Sequence, residues 1–354
     1  MYEPLKVGLV GTGSISKFHM SAYLEHPDRL QLTAVCDISE SLAQECARKA
    51  GVEAVYLDYE HMLREADIDA VDICTSHNMH APQTIAAAAA GKHVIVEKAM
   101  STTLDDCRAM IEAADRAGVT LMVAQHLRYS PEAYAVKRLI DDDKLGEIQA
   151  ARTDVFRQGP QEAWYTDGKM GGGVLQLQSV HYIDLLRYYV GNIKRVTGVC
   201  RTVQPQMTNG AEDLVAATLE FENGAIGDVF SSWTSRLVPE DASYIVLGSK
   251  GTIHSTPPAT AKDNSPIRHF GIVMFGEKEN EPDREKPAFE PLDTSDIVLP
   301  STNFFVNEIL HFEECIRTGR EPLSSGRDNI ETMKVTLGIL ESCRAGKPVD
   351  IADL

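Results

Sequence analysis

The chain has 354 residues, 43% of them hydrophobic, and a formal net charge of −18 at pH 7. This length predicts two domains rather than one. The negative charge argues against nucleic acid or an anionic membrane surface as the main partner. No apolar run reaches the length of about 18 residues that spans a membrane, and the sequence opens without a signal-peptide pattern, so we expect a soluble, cytoplasmic protein.

The cysteines offer no framework for the fold. Seven of them are scattered singly along the chain, and none forms a Cys-x-x-Cys pair. An odd number of isolated cysteines argues against a complete set of disulfides. We therefore expect reduced thiols that behave as small, buried hydrophobic groups.

The first 125 residues alternate short apolar strands with helical patterns. The strands are predicted at LKVGLV (5–10), QLTAVCD (31–37), AVDIC (70–74), HVIVEK (93–98) and VTLMVA (119–124). Helices are predicted to begin near Ser39, at Pro82 and at Thr102, whose hydroxyl would form a capping box with Asp105. The alternation predicts a doubly wound parallel sheet, a Rossmann domain, over residues 1–125.

A glycine-rich turn follows the first strand and opens the first helix. It reads Gly11-Thr12-Gly13-Ser14-Ile15-Ser16. The first glycine permits a tight turn, and Gly13 lets a pyrophosphate approach the backbone N–H groups at the helix start, where Ser14 and Ile15 follow. Ser16 occupies the position at which the pattern usually has a third glycine or an alanine. The position in the fold predicts a dinucleotide site.

An acidic residue ends the second strand. Asp37 follows Gly13 by 24 residues, the spacing at which a carboxylate binds the hydroxyls of the adenosine ribose. A carboxylate there repels a 2′-phosphate, and no arginine directly follows it. We therefore predict NAD rather than NADP.

The second domain, predicted over residues 126–354, has longer strands that alternate apolar and polar residues. Its predicted strands are IQAARTDVFR, KRVTGVCRTV, EDLVAATLEF, AIGDVFSSWTSR, ASYIVLG and GTIHST, with turns at 222–224 and 248–251. One helical pattern lies among them at 171–191, and two more helices close the chain. Residues 257–300 read as an irregular connection or an excursion with short strands. This pattern predicts an α+β domain with a large, open, mainly antiparallel sheet.

The helical segment GGGVLQLQSVHYIDLLRYYVG contains one histidine, His181. By itself, a histidine on a helix is more often structural than catalytic. No His-x-x-x-His or His-x-x-Glu cluster surrounds it, so we predict no metal site. Whether it carries a proton depends on the rest of the chain.

Taken together, the motifs resemble the Gfo/Idh/MocA oxidoreductase family nearly from end to end. The segments are the glycine turn, TSHNMHAPQTIAAAAAGKHVIVEKAM (75–100), the helix with His181, EDLVAATLEFENGAIG (212–227), GSKGTI (248–253) and EPLSSGRDNIETMKVTLGILES (321–342). The resemblance implies hydride transfer between NAD(P) and a hydroxyl of a sugar or cyclitol. It also implies a C-terminal sheet that forms a homo-oligomer, consistent with the large sheet face expected here.

The family's Glu-Lys-Pro motif corresponds to Glu97-Lys98-Ala99, with alanine in place of proline. Lys98 ends a parallel strand, at the edge of the sheet where ligands bind. Its ammonium is suited to stabilise a developing alkoxide, although a plain surface lysine is the alternative.

Two further groups of polar residues follow strands of the first domain. The resemblance places cofactor-contacting residues at Thr75, Asn78 and His80, for which turn formation before Pro82 is the alternative. Arg128 and Tyr129 correspond to a family segment that reaches the active site. They would bind substrate or tie the domains together, and the sequence does not decide between these roles.

In the family, the helix after the second glycine-rich segment, which begins at Gly171 here, carries the base that takes the hydroxyl proton. That base corresponds to His181. The family's acid four residues earlier is replaced by Leu177, so Asp184 is the remaining carboxylate that could orient the ring or bind substrate. Gln176 and Gln178 predict a pocket for a neutral polyhydroxyl substrate. A division of labour with Lys98 as base and His181 as donor stays open.

These features predict an NAD-dependent dehydrogenase of a sugar, glycoside, nucleotide sugar or cyclitol. The alternatives are a lyase or glycosidase that oxidises C3 transiently and recycles its NAD, and a nucleotide-sensing regulator without turnover. Lys98 and His181 together argue against the regulator, since a sensor needs neither a base nor an alkoxide-stabilising cation.

Overall fold

The fold is taken from a computed structural model that describes residues 3–159, 162–235, 241–256, 269–274 and 290–354. The chain forms two compact units. The first comprises Met1–Ser130 and Leu299–Met333, and the second comprises Pro131–Val298 and Lys334–Leu354. Residues 299–333 therefore belong with the first unit, whereas the sequence pattern placed everything after residue 125 in one continuous second domain.

The sheet of the first unit has the strand order expected of a Rossmann fold. Its strands in the described chain are β1 Leu5–Val10, β2 Leu30–Cys36, β3 Ala54–Tyr56, β4 Ala70–Ile73, β5 His93–Glu97 and β6 Leu121–Ala124. They lie in the order β3-β2-β1-β4-β5-β6, and all the pairings are parallel. The five predicted strands are confirmed within three residues at each end, while the short β3 was not predicted.

Helices connect these strands. Their bounds are α1 Ser16–Glu25, α2 Glu40–Ala50, α3 Tyr59–Glu65, α4 His77–Ala89, α5 Leu104–Ala117 and, from the returning segment, α8 Phe304–Thr318. Two predicted starts were wrong. α4 begins five residues before Pro82, and α5 is capped by Thr103, whose Oγ1 accepts the N–H of Asp106, rather than by Thr102.

One core cluster of the first unit lies between its sheet and the helices α1 and α8. Val306, Ile309 and Phe312 of α8 pack in one cluster with Val7 of β1 and Ile95 of β5. Full burial of a side chain of this size stabilises the fold by roughly 1.5–3 kcal/mol. This packing fixes the sheet edge on which β1, β2, β4 and β5 end.

The second unit is built on a larger sheet. Its described strands are β7 Ile148–Phe156, β8 Ile193–Arg201, β9 Leu214–Phe221, β10 Ile226–Ser232, β11 Asp241–Gly248, β12 Gly251–Thr256, β13 His269–Met274, β14 Glu290–Pro291 and β15 Val349–Asp350. The order is β14-β13-β12-β11-β7-β10-β9-β8-β15. Only the described pair β7 and β10 is parallel, so the mainly antiparallel sheet is confirmed.

Two helices of this unit are α6 Pro131–Asp141 and α7 Val180–Val190, and a π-helical turn, Leu175–Ser179, leads into α7. The last helix is α9 Gly326–Ala345. No helix within the described ranges combines the length and the hydropathy needed to cross a membrane.

The expectation that all cysteines are reduced was wrong for one pair. Cys200 of β8 and Cys343 of α9 form a disulfide, with Cα atoms 5.5 Å apart. They are 143 residues apart in sequence and meet because Gly198 has no side chain, so that α9 packs closely on β8 and Ser342 Oγ accepts the N–H of Gly198 at 3.0 Å. The other five cysteines are free and buried, as predicted.

Candidate active site

The glycine turn between β1 and α1 has the geometry that a dinucleotide requires. Gly11 has φ of +81°, and a Cβ there would lie 2.8 Å from the carbonyl group of Cys74, so only glycine fits. At Gly13 no atom lies within 4 Å of the position of a Cβ. The turn is therefore tight on one side and open on the other.

The start of α1 is prepared for an anion. The N-cap residue, Ile15, makes no side-chain hydrogen bond to the first turn of the helix, and that turn contains no acidic residue. The hydroxyl of Ser16 donates to the carbonyl of Gly13 at 2.8 Å, which explains how serine replaces the third small residue. The positive end of the helix dipole and its N–H groups can thus bind a pyrophosphate.

Asp37 follows β2 at the same edge of the sheet and is half-buried. Its Oδ2 accepts the N–H of Thr12 at 2.7 Å and its Oδ1 accepts the N–H of Ser39 at 2.8 Å. The hydroxyl of Thr12 also donates to Oδ2, at 3.0 Å. These bonds fix the plane of the carboxylate and leave Oδ1 a second lone pair for a ribose hydroxyl. The neighbouring Ile38 is 96% exposed.

Glu97 ends β5, directly before Lys98. It is 4% exposed, and its Oε2 accepts the backbone N–H of Lys98 at 3.0 Å. Its Oε1 lies 3.0 Å from Nε2 of His19. The backbone at Lys98 is therefore held by a buried carboxylate that is itself fixed by a second residue.

His19 was not predicted, and it lies at the centre of a buried polar cluster. Its Nδ1 lies 3.0 Å from both carboxylate oxygens of Asp72, and the hydroxyl of Tyr23 donates to Asp72 Oδ2 at 2.8 Å. Burial acts to lower the pKa of His19, but the charges and hydrogen bonds of Asp72 and Cys74 together outweigh it, and the pKa lies well above its usual range. We treat His19 as an imidazolium between two carboxylates.

The same cluster stabilises the charge of Glu97. Burial acts to raise its pKa, but the hydrogen bond from His19 and the charge of Lys98 bring the pKa below its usual range. In sequence, His19 and Asp72 look like an ordinary helix residue and an ordinary strand residue. The only signal in the sequence is that each is an ionisable residue within an element that contributes to the core, His19 in α1 and Asp72 in β4.

His19, Asp72 and Cys74 also form a group whose donor atoms all lie within 4.8 Å of one another, as a metal site would require. Both ring nitrogens of His19 are already within hydrogen-bond distance of carboxylates. A metal ligand would need one of these nitrogens deprotonated and turned to the ion. The hydrogen bonds account for the cluster without an ion.

The three residues at the start of α4 and just before it that were predicted to contact the cofactor divide into two kinds. His80 is fully buried, with Nδ1 2.8 Å from the carbonyl of Ala99 and Nε2 3.0 Å from that of Thr75. Burial lowers its pKa. Asn78 is exposed, and Thr75 Oγ1 donates to Gln83 at 2.6 Å. His80 thus supports the chain beside Lys98, while Asn78 and Thr75 stay candidates for cofactor contact.

Arg128 and Tyr129 are buried within the first unit. Arg128 donates to the carbonyl of Leu323 at 2.8 Å and pairs with Asp328 at 2.8 Å. The hydroxyl of Tyr129 lies 2.9 Å from Ser324 Oγ. These contacts hold the returning segment 299–333, which favours the structural interpretation of both residues over substrate binding.

In the second unit, the glycine-rich turn before α7 is shaped by Glu212. A Cβ on Gly173, whose φ is +108°, would lie 2.6 Å from Glu212 Oε2. The carboxylate accepts the N–H of Leu175 at 2.8 Å, and its backbone carbonyl accepts that of Val174 at 2.9 Å. Glu212 therefore fixes the start of the helical segment that carries His181.

We expect the Glu212→Gln variant to gain stability over the natural protein as the pH rises. Burial raises the pKa of Glu212 from 4.5 to about 7, so in this range the native state binds the proton more tightly than the unfolded chain. The free energy of unfolding of the natural protein therefore falls as the pH rises, by at most roughly 3 kcal/mol. Glutamine cannot ionise and keeps an oxygen for Leu175. Urea unfolding near pH 5 and pH 8 measures the difference.

Glu222→Gln is the matched control, because Glu222 is exposed after β9. Its free energy of unfolding should differ from that of the natural protein by the same amount at both pH values. A Glu212→Gln variant that behaves in the same way would contradict the raised pKa.

The π-turn changes which residue lies one turn before His181. Its hydrogen bond runs from the N–H of Val180 to the carbonyl of Leu175, five residues earlier. In a regular α-helix, Leu177 and Gln178 would share the helix face of His181. A π-turn is one residue wider than an α-turn, so it moves Gln176 towards that face as well. Such turns occur frequently at functional sites.

The polar residues of this helix have different environments. His181, Gln176 and Asp184 are buried, at 9%, 5% and 1% exposure. The Oε1 atom of Gln176 is buried and has no hydrogen-bond partner among the described residues. By contrast, Gln178 Oε1 accepts the indole N–H of Trp233 at 2.7 Å, which gives Gln178 a structural role.

Comparison with known proteins agrees with this geometry. Residues 5–125 match the family model described as "Oxidoreductase family, NAD-binding Rossmann fold", and residues 133–254 match the GFO/IDH/MocA C-terminal domain. The scyllo-inositol 2-dehydrogenase (NAD(+)) of Bacillus subtilis is 28% identical over 99% of this chain and 97% of its own.

Two further comparisons extend over large parts of the chain. The D-glucoside 3-dehydrogenase of Escherichia coli is 30% identical, over 63% of this chain and 69% of its own. The WlbA dehydrogenase from Bordetella pertussis, solved with NADH and UDP-GlcNAcA, has a TM-score of 0.81 and 27% identity over 98% of both chains. The chain therefore belongs to the GFO/IDH/MocA oxidoreductase family, and its first unit is an NAD-binding Rossmann fold.

Proposed function

We propose that the protein is an NAD-dependent dehydrogenase that oxidises a secondary hydroxyl of a sugar, glycoside, nucleotide sugar or cyclitol to a ketone. The observation that carries the proposal is the position of Lys98. It directly follows β5, on the sheet edge that also bears Gly11, Gly13 and Asp37, and a buried carboxylate holds its backbone. The relatives named above are dehydrogenases of such substrates.

When bound, NAD would supply the hydride acceptor for this reaction, its nicotinamide ring. Ser14 and Ile15 present backbone N–H groups to the pyrophosphate, and Asp37 binds the adenosine ribose. The ammonium of Lys98 donates a hydrogen bond to the reacting hydroxyl and stabilises the negative charge that develops on its oxygen.

We assign the proton to His181. Histidine is the side chain that most often serves as a general base near neutral pH. Burial of His181 on α7 restricts the orientation of its ring. Asp184, three residues later, is the buried carboxylate on the same helix. It would orient the ring or bind a substrate hydroxyl.

Gln176 supports a neutral polyhydroxyl substrate. A buried amide oxygen without a partner is costly, at roughly 1–3 kcal/mol, unless a ligand supplies a donor. A hydroxyl group is such a donor, whereas a carboxylate is not. We therefore propose that Gln176 accepts a hydrogen bond from the substrate and disfavours acidic sugars at that position.

The test is to follow the appearance of NADH by absorbance with a panel of polyols, each sugar paired with its uronic acid. We expect steady turnover with at least one neutral member and a lower kcat/KM for its acid. NAD that is reduced and reoxidised with release of an aglycone would indicate the lyase or glycosidase instead. Binding of NAD without turnover on any member would favour a sensor.

The natural protein should use NAD with a kcat/KM at least tenfold above that for NADP, because Asp37 repels the 2′-phosphate. Asp37→Asn keeps the size of the side chain but removes its charge, and should narrow this ratio roughly tenfold. Steady-state rates with both cofactors measure it. Asp58→Asn, at the cap of α3, is the control and should leave the ratio unchanged. A natural preference for NADP would contradict the role of Asp37.

We propose that the second unit also forms a homo-oligomer, a dimer or tetramer, through its sheet. The strand register places Leu247, Ile226 and Val199 on one face, where they are 41%, 61% and 65% exposed. Exposed apolar side chains on one sheet face are typical of an interface. Light scattering should give a mass of at least two chains, and a monomer at micromolar concentration would contradict the proposal.

A further inference from the structure

His19 connects the elements that the proposed function uses. It lies on α1, the helix that begins at the glycine turn, and its ring contacts Asp72 on β4 and Glu97 on β5 at 3.0 Å each. The side chain has no exposed surface. The other oxygen of Glu97, Oε2, accepts the backbone N–H of Lys98 at 3.0 Å.

We propose that His19 is a positioning residue for Lys98, acting through Glu97. The ring fixes one oxygen of the Glu97 carboxylate, and the other oxygen then fixes the backbone from which the Lys98 side chain extends. Because α1 also carries the N–H groups offered to the cofactor, His19 joins the cofactor helix to the strand that bears the catalytic lysine. This inference rests on the role of Lys98 in the proposed function.

The groups that surround the ring support this role. Asp72 and Glu97 face it from two strands, Cys74 Sγ lies 3.6 Å from Nδ1, and the ring of Phe305 from α8 lies 5.8 Å away. Asp72 is in turn bound by the hydroxyl of Tyr23. The two ring nitrogens thus have separate partners, one that anchors the ring and one that leads to Lys98.

Two amide variants separate these contacts. Asparagine places its N–H₂ near the position of Nδ1, so His19→Asn can still reach Asp72 but not Glu97. Glutamine extends further, so His19→Gln can reach Glu97 from the position of Nε2. Both variants lose the imidazolium, so both should lower the melting temperature by a similar amount.

We expect His19→Asn to lower kcat about tenfold to a hundredfold, since small displacements of a catalytic group have effects of this size. The dissociation constant for NAD, measured by calorimetry, should stay within about threefold. His19→Gln should recover most of the lost kcat despite its similar melting temperature. Tyr23→Phe is the control: it removes a buried bond to Asp72 but leaves the contact between His19 and Glu97, so kcat should not change.

Equal losses of kcat in the two amide variants, or losses that follow the melting temperature, would overturn the inference. If His19→Asn does not fold, Glu97→Gln tests the same connection, and full turnover of that variant would also overturn it. Failure of the proposed function is distinguishable. In that case Lys98→Met keeps full turnover, whereas failure of this inference alone leaves Lys98→Met inactive and His19→Asn active.

Discussion

The Lys98→Met variant is expected to bind NAD as the natural protein does and to lose kcat by a factor on the order of 100 to 1,000. Methionine matches the unbranched apolar part of the lysine side chain but lacks the ammonium that stabilises the developing alkoxide. The fold around it should persist, because the bond to Glu97 comes from the backbone N–H and not from the side chain. Calorimetry with NAD and steady-state turnover of a polyol measure the two quantities.

An arginine variant distinguishes a cation from a base. Lys98→Arg keeps a positive charge but cannot accept a proton, so partial activity is expected if Lys98 acts through its charge. Complete loss would favour Lys98 as the base. Lys49→Met, in an ion pair with Glu45 on the surface of α2, is the control and should leave turnover unchanged. Full activity of Lys98→Met would remove the basis of the proposed mechanism.

The second large effect is expected for His181→Asn. Without the imidazole the hydroxyl proton has no acceptor, so kcat should fall by roughly a hundred- to ten-thousand-fold. The acidic limb of the pH profile of kcat, where the base becomes protonated, should disappear with it. A kinetic isotope effect with substrate deuterated at the reacting carbon should persist, since hydride transfer limits the rate of the variant.

His61→Asn is the matched control, because His61 is exposed on α3. Asp184→Asn then separates the two roles open to Asp184: a shifted pH profile would mean that it orients His181, and a raised KM with an unchanged profile would mean that it binds substrate. A His181→Asn variant with full turnover would return the histidine to a structural role.

Much of the first unit was predictable because its signals are local. Short apolar strands and the glycine turn depend on residues within a few positions of one another, and the chain follows them from Leu5 to Ala124. The place of Lys98 also follows from the chain order, since a parallel strand must present its carboxyl end at the ligand-binding edge.

The features that the sequence missed at the site and at the domain boundary depended on atoms brought together from distant parts of the chain. His19 contacts Asp72 and Glu97 across 53 and 78 residues. Arg128 reaches Leu323 across 195 residues, which assigns the segment 299–333 to the first unit. No local pattern specifies such contacts.

The replacement at Leu177 illustrates the same limit within one helix. An α-helical pattern makes the residue four positions before His181 its neighbour, and that residue cannot hydrogen-bond through its side chain. The π-turn, fixed by Glu212 on the N–H of Leu175, moves the buried amide of Gln176 towards that face. The turn depends on a carboxylate 37 residues away in sequence.

By itself, the sequence determined the class of the fold and NAD as the cofactor. It also supplied the predictions that Asp37 binds the cofactor and that Lys98 and His181 carry the chemistry. Each of these depends on residue type and on spacing along one or two elements. The tertiary structure decided how those residues are supported: the His19 cluster beneath Lys98, Glu212 before α7, and the pairing of Cys200 with Cys343. The reason is physical. Burial and hydrogen-bond partners are set by the packing of distant elements, which exists only once the chain has folded.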